Sequence, residues 1–369
     1  MRIVIYTQCI LPYISPRSQR SWNLALNLAK MGHDVVVYAI LGNTDYSEYE
    51  SKYKIQFKEL GPSFFGCVRS DGKRQTIITR GLRKIFGRSF QFPEIELSWL
   101  VSRSLKKELT KQPIDLLITI ASPHTIHWGA AKVLPDERVK CWVADCGDPF
   151  MGNPFHKPPK RYERIERDWC SKVDAIAIPV ENGEGAYYPE FRGKIKVIPQ
   201  GFDFENVTLS KYERNPIPTF AFSGAIYKKF RDPSEFLKHL CALDTPFKFI
   251  VYTKAPNEYE PYASQLNNKI EFRKYVPREQ LVFELSQMDF LINIKNESSV
   301  QQPSKLIDYA QTKRPVMELS SAFTADEKKQ FHDFLTGDYA GKIMLPDIEQ
   351  YDIRNVCRKF IDVCNETRR

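Results

Sequence analysis

The chain has 369 residues, 42% of them hydrophobic and 27% charged, with a net charge of +9. That length exceeds one ordinary core and predicts two domains, and 24 Phe, 18 Tyr and 5 Trp exclude intrinsic disorder. No run approaches the ~20 apolar residues that cross a bilayer, and the opening MRIVIYTQC reads as a strand rather than a secretory signal, so a cytoplasmic location is expected. The eight cysteines form no C-x-x-C pair. Cys141 and Cys146 are the closest two, at a spacing that suits no common zinc site, so free thiols and no metal are expected.

Residues 3–6 read as a short buried strand. Ser15 and Pro16 then suit an N-cap and a first helical position. The helix that follows carries Trp22, Ala25, Leu26 and Ala29 on one face and ends at Gly32. Residues 34–40 form a second apolar strand. Continuous apolar strands joined by a helix predict a parallel sheet covered on both sides. Between residues 64 and 92, seven basic residues (Arg69, Lys73, Arg74, Arg80, Arg83, Lys84, Arg88) face one acid, Asp71, a local charge of 7 − 1 = +6. Within it, Ile78, Leu82, Ile85 and Phe86 fall at helical spacing, although Gly81 and Gly87 weaken the helix. Such clustering points to a phosphate-bearing partner: a nucleotide, a nucleic acid or an anionic membrane surface. The alternative is that the apolar side packs on the N-terminal domain.

The strand pattern recurs at 114–120, 139–143, 175–179 and 196–199. A polar, proline-containing stretch up to Pro218 reads as a linker. Further strands are expected at 219–224, 247–252, 270–272, 290–294 and 315–319, with a helix over about 303–311. Ile353, Val356, Cys357, Phe360, Ile361 and Cys364 make one helical stripe at the C-terminus. The expected fold is α/β, with two doubly wound, Rossmann-like domains facing across a cleft. Their bounds are 1–203 and 204–346, and residues 347–369 pack back across them as a helix. Ligands of such sheets sit at the carboxyl ends of the strands.

Several groups of residues fall at those ends. Lys305 lies in a first helical turn behind Pro303 and Ser304, where the helix dipole disfavours a cation unless an anion is close by. Asp308 shares its face. A phosphate-binding lysine one turn from a hydroxyl-binding carboxylate makes a nucleotide clamp; a surface ion pair is the alternative. Gly224 ends a strand and opens a loop with Lys228, Lys229 and Arg231, three cations that suit a diphosphate. This loop is neither a Walker loop nor a G-x-G-x-x-G turn. Glu297 and Ser298 follow another strand end and are placed to meet a sugar. In the first half, Ser122 and His124 follow one strand and Asp148 follows the next. His124 is a candidate proton carrier, and Asp148 a candidate base or hydroxyl ligand.

These pieces, in order, resemble a GT-B glycosyltransferase, most similar to the retaining glycosyltransferase family 4. The resemblance rests on residues 1–5, Lys30-Met-Gly-His-Asp-Val-Val-Val37, Asp148-Pro-Phe and Lys196-Val-Ile-Pro-Gln-Gly-Phe-Asp203. It continues through Phe222-Ser-Gly224, Val276-Pro, Asp289-Phe-Leu-Ile, Pro303-Ser-Lys-Leu and Arg314-Pro-Val. It implies a C-terminal domain that binds a nucleotide sugar, UDP- or GDP-linked. It also implies an N-terminal domain that binds a glycan or lipid-diphosphate acceptor for surface polysaccharide synthesis, and transfer with no metal or other cofactor. Asp308 then matches the second acid of the family's paired-glutamate motif, and Glu297 or Ser298 substitutes for the first. Arg231 matches the diphosphate-binding lysine, Lys228 or Lys229 compensates for Ala225 where an arginine is expected, and Lys305 matches a Pro-Ser-Lys variant. Val276 joins the donor side. The family's cleft histidine matches Ala121, so His124 is its neighbour. The glycine-rich first loop is replaced by residues 8–17, which makes Arg17 a candidate for gripping a phosphate or an acidic acceptor beside Ser122. A GT-B-fold sugar-nucleotide epimerase and a basic nucleic-acid or membrane-surface binding module are the alternatives. No nucleic-acid motif is present, so no nucleic-acid partner is expected.

Overall fold

A computed structural model describes every residue except 73–76, 154–156, 206, 225–231, 254–255, 296–304 and 368–369. The chain divides into two units: Met1–Asp203 with Gln350–Arg369, and Phe204–Glu349.

Unit 1 is built on seven strands: β1 (Arg2–Tyr6), β2 (Asp34–Ala39), β3 (Ile55–Glu59), β4 (Leu116–Ala121), β5 (Trp142–Cys146), β6 (Ala175–Ile178) and β7 (Ile195–Val197). All pair in parallel, in the order β3-β2-β1-β4-β5-β6-β7. Its helices are α1 (Pro16–Lys30), α2 (Ser47–Lys52), α3 (Ile77–Phe90), α4 (Leu97–Leu109), α5 (Thr125–Ala131) and α6 (Tyr162–Lys172). Alternate residues of β1 feed opposite faces: Val4 and Tyr6 join one apolar cluster, Ile3 and Ile5 the other. Both faces are covered, which is why the strands read as unbroken apolar runs.

α1 starts where the sequence placed it, with Ser15 closing a capping box with Ser18. Its buried side is the expected one in part: Ala25 and Ala29 are buried as expected. Leu24, Ala25, Leu28 and Ala29 face the core, whereas Trp22 and Leu26 are only half-buried. Trp22 packs at the rim of the same core, stacked on Phe57 and meeting Tyr49 edge-on and Tyr46 at a tilt.

Unit 2 holds β8 (Thr219–Ser223), β9 (Lys248–Tyr252), β10 (Ile270–Arg273), β11 (Phe290–Ile294) and β12 (Val316–Leu319), parallel in the order β10-β9-β8-β11-β12. Its helices are α7 (Ser234–Cys241), α8 (Glu260–Leu266), α9 (Arg278–Leu285), α10 (Lys305–Thr312) and α11 (Ala325–Thr336). The last helix, α12 (Ile353–Thr367), belongs to unit 1. There Ile353, Val356, Cys357 and Phe360 share a cluster with Leu24 and Leu28 of α1. The 202–203 segment is tied to it by a parallel bridge between Phe202 and Asp352.

One buried charge anchors the middle of unit 1. Glu108 of α4 is fully buried. It accepts from Lys58 Nζ (3.2 Å), Lys111 Nζ (3.0 Å), Arg2 and the Tyr38 hydroxyl. Burial alone would raise its pKa, but these donors and the Lys58 charge outweigh it and hold the carboxyl down at about 2. A depressed carboxyl contributes stability that is present above its unfolded pKa near 4.5 and lost as pH falls toward 2. Glu108→Gln is therefore expected to destabilise unit 1 by on the order of 2–3 kcal/mol near neutral pH, and to lose this deficit in acid. Urea unfolding at several pH values, followed by tryptophan fluorescence, checks it. All five tryptophans (Trp22, Trp99, Trp128, Trp142, Trp169) lie in unit 1, so the signal reports that unit alone.

Candidate functional site

In unit 2 the strand order runs outward in both directions from β8 and β11, so the switch point lies between them, where parallel sheets take ligands. β8 ends in Ser223 and Gly224. Gly224 has φ +143°, a conformation that side chains other than glycine's rarely adopt, and its N–H donates to the Tyr252 carbonyl at 3.0 Å. The fully buried Tyr309 pins α10 to this edge. Its hydroxyl accepts from the Ser223 N–H at 2.8 Å and donates to the Ile292 carbonyl of β11 at 3.2 Å.

This anchoring sets Lys305, four residues earlier on α10, beside the strand end. Its Nζ lies 4.6 Å from the centre of the Phe222 ring, and its Cδ passes 4.0 Å from where a Gly224 Cβ would stand. The structure thus brings Gly224 and Lys305 together. Asp308, one turn further on, accepts from Arg278 Nε at 2.5 Å. Burial raises the Asp308 pKa, and the Arg278 guanidinium opposes it. Arg278, which also covers the Phe204 ring, was missed from sequence. It stands 30 residues from its partner, and only the fold joins them. Val276 is half-buried and packs against the apolar cluster that contains Leu281 and Tyr309. Lys228, Lys229, Arg231, Glu297, Ser298 and Ser304 lie outside the described residues.

In unit 1 the corresponding switch point lies between β1 and β4. Ser122 is exposed just beyond β4, and the Asp148 side chain is exposed beyond β5. His124 is not placed as a proton carrier. It is buried among His127, Phe150 and Trp169, and its Nε2 sits 3.0 Å from the Asp148 carbonyl, which can only accept. Burial pushes its pKa down to about 4, so at neutral pH it is an uncharged ring that holds the 148 turn in place. His124, His127 and Cys146 are the group among the described residues whose ligand atoms approach one another closely enough for a metal, within 4.8 Å. His127 already spends both nitrogens, Nδ1 on Thr119 Oγ1 at 2.7 Å and Nε2 on Cys146 Sγ at 3.4 Å. Burial drives the Cys146 thiol upward and keeps it protonated.

The other feature of this edge is a pair of arginines on α1. Arg20 is buried and fully engaged. It donates to both oxygens of Asp145 (2.5 and 2.7 Å) and to the carbonyls of Pro199 (2.7 Å) and Ile198 (3.3 Å). Arg17 is half-buried against Gly147: a Cβ on Gly147 would lie 1.9 Å from the Arg17 Cζ.

No protein-family model and no curated protein matches the chain. Solved structures do. A glycosyltransferase from Rickettsia africae ESF-5 superposes with TM-score 0.62 at 12% identity, covering 100% of this chain and 98% of that one. The lipopolysaccharide outer core galactosyltransferase WaaB gives 0.59 at 10% identity, over 99% of each chain. Anabaena HepE, solved with UDP and glucose, gives 0.55 at 10% identity, over 99% of this chain and 100% of that one. The fold is therefore the two-unit α/β architecture of the GT-B structures, as the sequence led us to expect.

Proposed function

We propose that the chain is a glycosyltransferase that takes a nucleotide-diphosphate sugar in unit 2 and an acceptor in unit 1. The observation that carries this reading is the Lys305 side chain passing Gly224, with its ammonium over the Phe222 ring, at the switch point of the five-stranded sheet. Its chemistry suits the reaction. The bond between the anomeric carbon and the diphosphate oxygen breaks, and one from an acceptor hydroxyl oxygen forms. The hydroxyl proton departs, and the nucleoside diphosphate leaves with growing negative charge. A fixed cation where that charge develops lowers the barrier. Asp308, steered by Arg278, is the candidate ligand for ribose hydroxyls, and the cations of 228–231 are candidates for the diphosphate. The fold shared with solved glycosyltransferases supports the reading. HepE was solved with UDP and glucose and WaaB is a lipopolysaccharide galactosyltransferase, which favours a UDP-sugar and a surface-glycan acceptor. Retention of configuration and independence from metal rest on the family 4 resemblance.

Thermal unfolding in the presence of UDP-, GDP- and dTDP-sugars tests the donor half, because a ligand bound only by the native state raises the midpoint. A shift with one nucleotide series supports it; no shift with any contradicts it. Incubating the stabilising donor with enzyme alone distinguishes the epimerase alternative, which converts the sugar without an acceptor.

The basic segment supports a membrane-surface partner for unit 1. α3 forms despite Gly81 and Gly87, and it leaves Ile85 (70%), Phe90 (54%), Phe86 and Leu82 exposed, alongside Phe64 (84%) and Trp99. Arg80, Arg83 and Lys84 are interleaved with them. Apolar side chains among cations suit the interface of an anionic bilayer. Among the described residues no helix is long and apolar enough to cross a membrane. Ile85→Glu is expected to reduce co-sedimentation with phosphatidylglycerol vesicles roughly tenfold, since it removes one exposed aliphatic side chain that would enter the bilayer and adds a charge of the same sign as the lipid surface. Equal binding by the variant would remove this partner.

A further inference from the structure

Arg17 and Arg20 stand three residues apart on α1, yet only one of them is satisfied. Arg20 engages Asp145 through two contacts and adds two carbonyls. Both Asp145 oxygens are thereby taken by Arg20. The Arg17 guanidinium makes no hydrogen bond and no ion pair among the described residues; it is half-buried, and burial lowers its pKa against the opposing charges of Asp145 and Asp148. A guanidinium carries five N–H donors, and those of Arg17 are left open to an incoming anion.

The position is nonetheless built. Gly147 follows β5 at the carboxyl edge of the sheet, and its missing side chain is the space the guanidinium fills. A Cβ there would stand 1.9 Å from Cζ and 2.1 Å from each Nη. The next residue's carbonyl is held by the buried His124 ring at 3.0 Å, so the turn that seats the arginine is itself fixed. Asp148 is exposed and forms no ion pair with Arg17, although its charge acts on the guanidinium and opposes the effect of burial.

We propose that Arg17, seated on Gly147, is the anion-binding residue of unit 1 and takes a phosphoryl group carried by the acceptor. This rests on the transferase reading. The planar guanidinium offers paired N–H donors that match two phosphoryl oxygens. The +6 segment of residues 64–92 lies in the same unit and favours a multiply charged anion over a single carboxylate. The acceptor is then a phosphate- or diphosphate-bearing molecule rather than a neutral glycan.

Inorganic pyrophosphate is the probe, added to the full chain, and the readout is thermal unfolding of unit 1 by tryptophan fluorescence. Pyrophosphate should raise the midpoint of the wild type and of Lys305→Ala. It should fail to do so for Arg17→Ala, Arg17→Gln and Gly147→Ala, with at least a tenfold weaker affinity by calorimetry. Gly147→Ala keeps the arginine's charge but displaces its guanidinium, so it separates position from charge. An undiminished shift in Arg17→Gln, or no shift in the wild type, overturns the proposal. UDP affinity should be equal in wild type and Arg17→Gln. A parallel loss of UDP binding would assign the residue to the donor and overturn the acceptor role. If no variant binds UDP while the pyrophosphate pattern holds, the Arg17 site stands and the transferase reading fails.

Discussion

Lys305→Ala is expected to lower nucleotide-sugar turnover about a hundred- to thousandfold, with the loss mainly in kcat. The reasoning is differential. A cation held beside the strand end interacts with the ground-state diphosphate, which is already charged, and more strongly with the same group as the glycosidic bond breaks and further charge collects on its oxygen. Removing a single preorganised donor to a developing oxyanion costs ~10²–10³ in rate in well-studied cases. The lysine is preorganised here because Tyr309 ties α10 to both β8 and β11, and because the Phe222 ring occupies one side of the ammonium at 4.6 Å. Lys305→Arg keeps the charge but not the position, and is expected to recover only part of the rate. Tyr309→Phe tests the anchoring. It leaves the Ser223 N–H unpaired and should reduce kcat without touching the ammonium. Steady-state kinetics with the stabilising donor, reported as separate kcat and KM, decides among these. A Lys305→Ala enzyme within a few fold of wild type would remove the lysine from the mechanism.

The second large effect is on stability. Asp145→Ala should cost unit 1 about 3–5 kcal/mol, because it leaves the Arg20 guanidinium buried without its counter-charge. Arg20 connects α1, the end of β5 and the 198–199 turn through two hydrogen bonds to Asp145 and two to the Ile198 and Pro199 carbonyls, so its loss loosens three segments that converge at the carboxyl edge of the sheet. Replacing both partners together, Arg20→Met with Asp145→Leu, should cost much less than either single alanine, because no buried charge is stranded. Urea titrations followed by tryptophan fluorescence give these values for unit 1 directly. Near-native stability of Asp145→Ala would mean that the pair is hydrated and of little consequence.

What was legible in the sequence follows from local patterning. Apolar runs such as 34–40 and 290–294 announce strands of a sheet covered on both faces, and the stripe from Ile353 to Cys364 announces the last helix. β3 was invisible for the opposite reason. Ile55–Glu59 is an edge strand in which only Ile55 is buried, so it carries neither an apolar run nor a clean alternation. β5 was placed too early, at 139–143 rather than Trp142–Cys146, because Asp145 broke the apolar run; its charge is accommodated only through Arg20, 125 residues away. The same limit governs the site. Lys305 and Gly224 could be singled out because each stands next to a strand end or helix start. The pairing of Arg278 with Asp308 and the seating of Arg17 on Gly147 depend on chain segments far apart in sequence. His124 misled for a related reason. A histidine after a strand looks available, and only its burial among Phe150, Trp169 and His127 shows that its role is to pack.

The most direct test of the central claim is a crystal structure of the chain grown with UDP. The account predicts the diphosphate at the carboxyl end of β8, with an oxygen in hydrogen-bond range of Lys305 Nζ and the ribose facing Asp308. A nucleotide bound elsewhere on unit 2, with Lys305 making no contact to a phosphate oxygen, would contradict it.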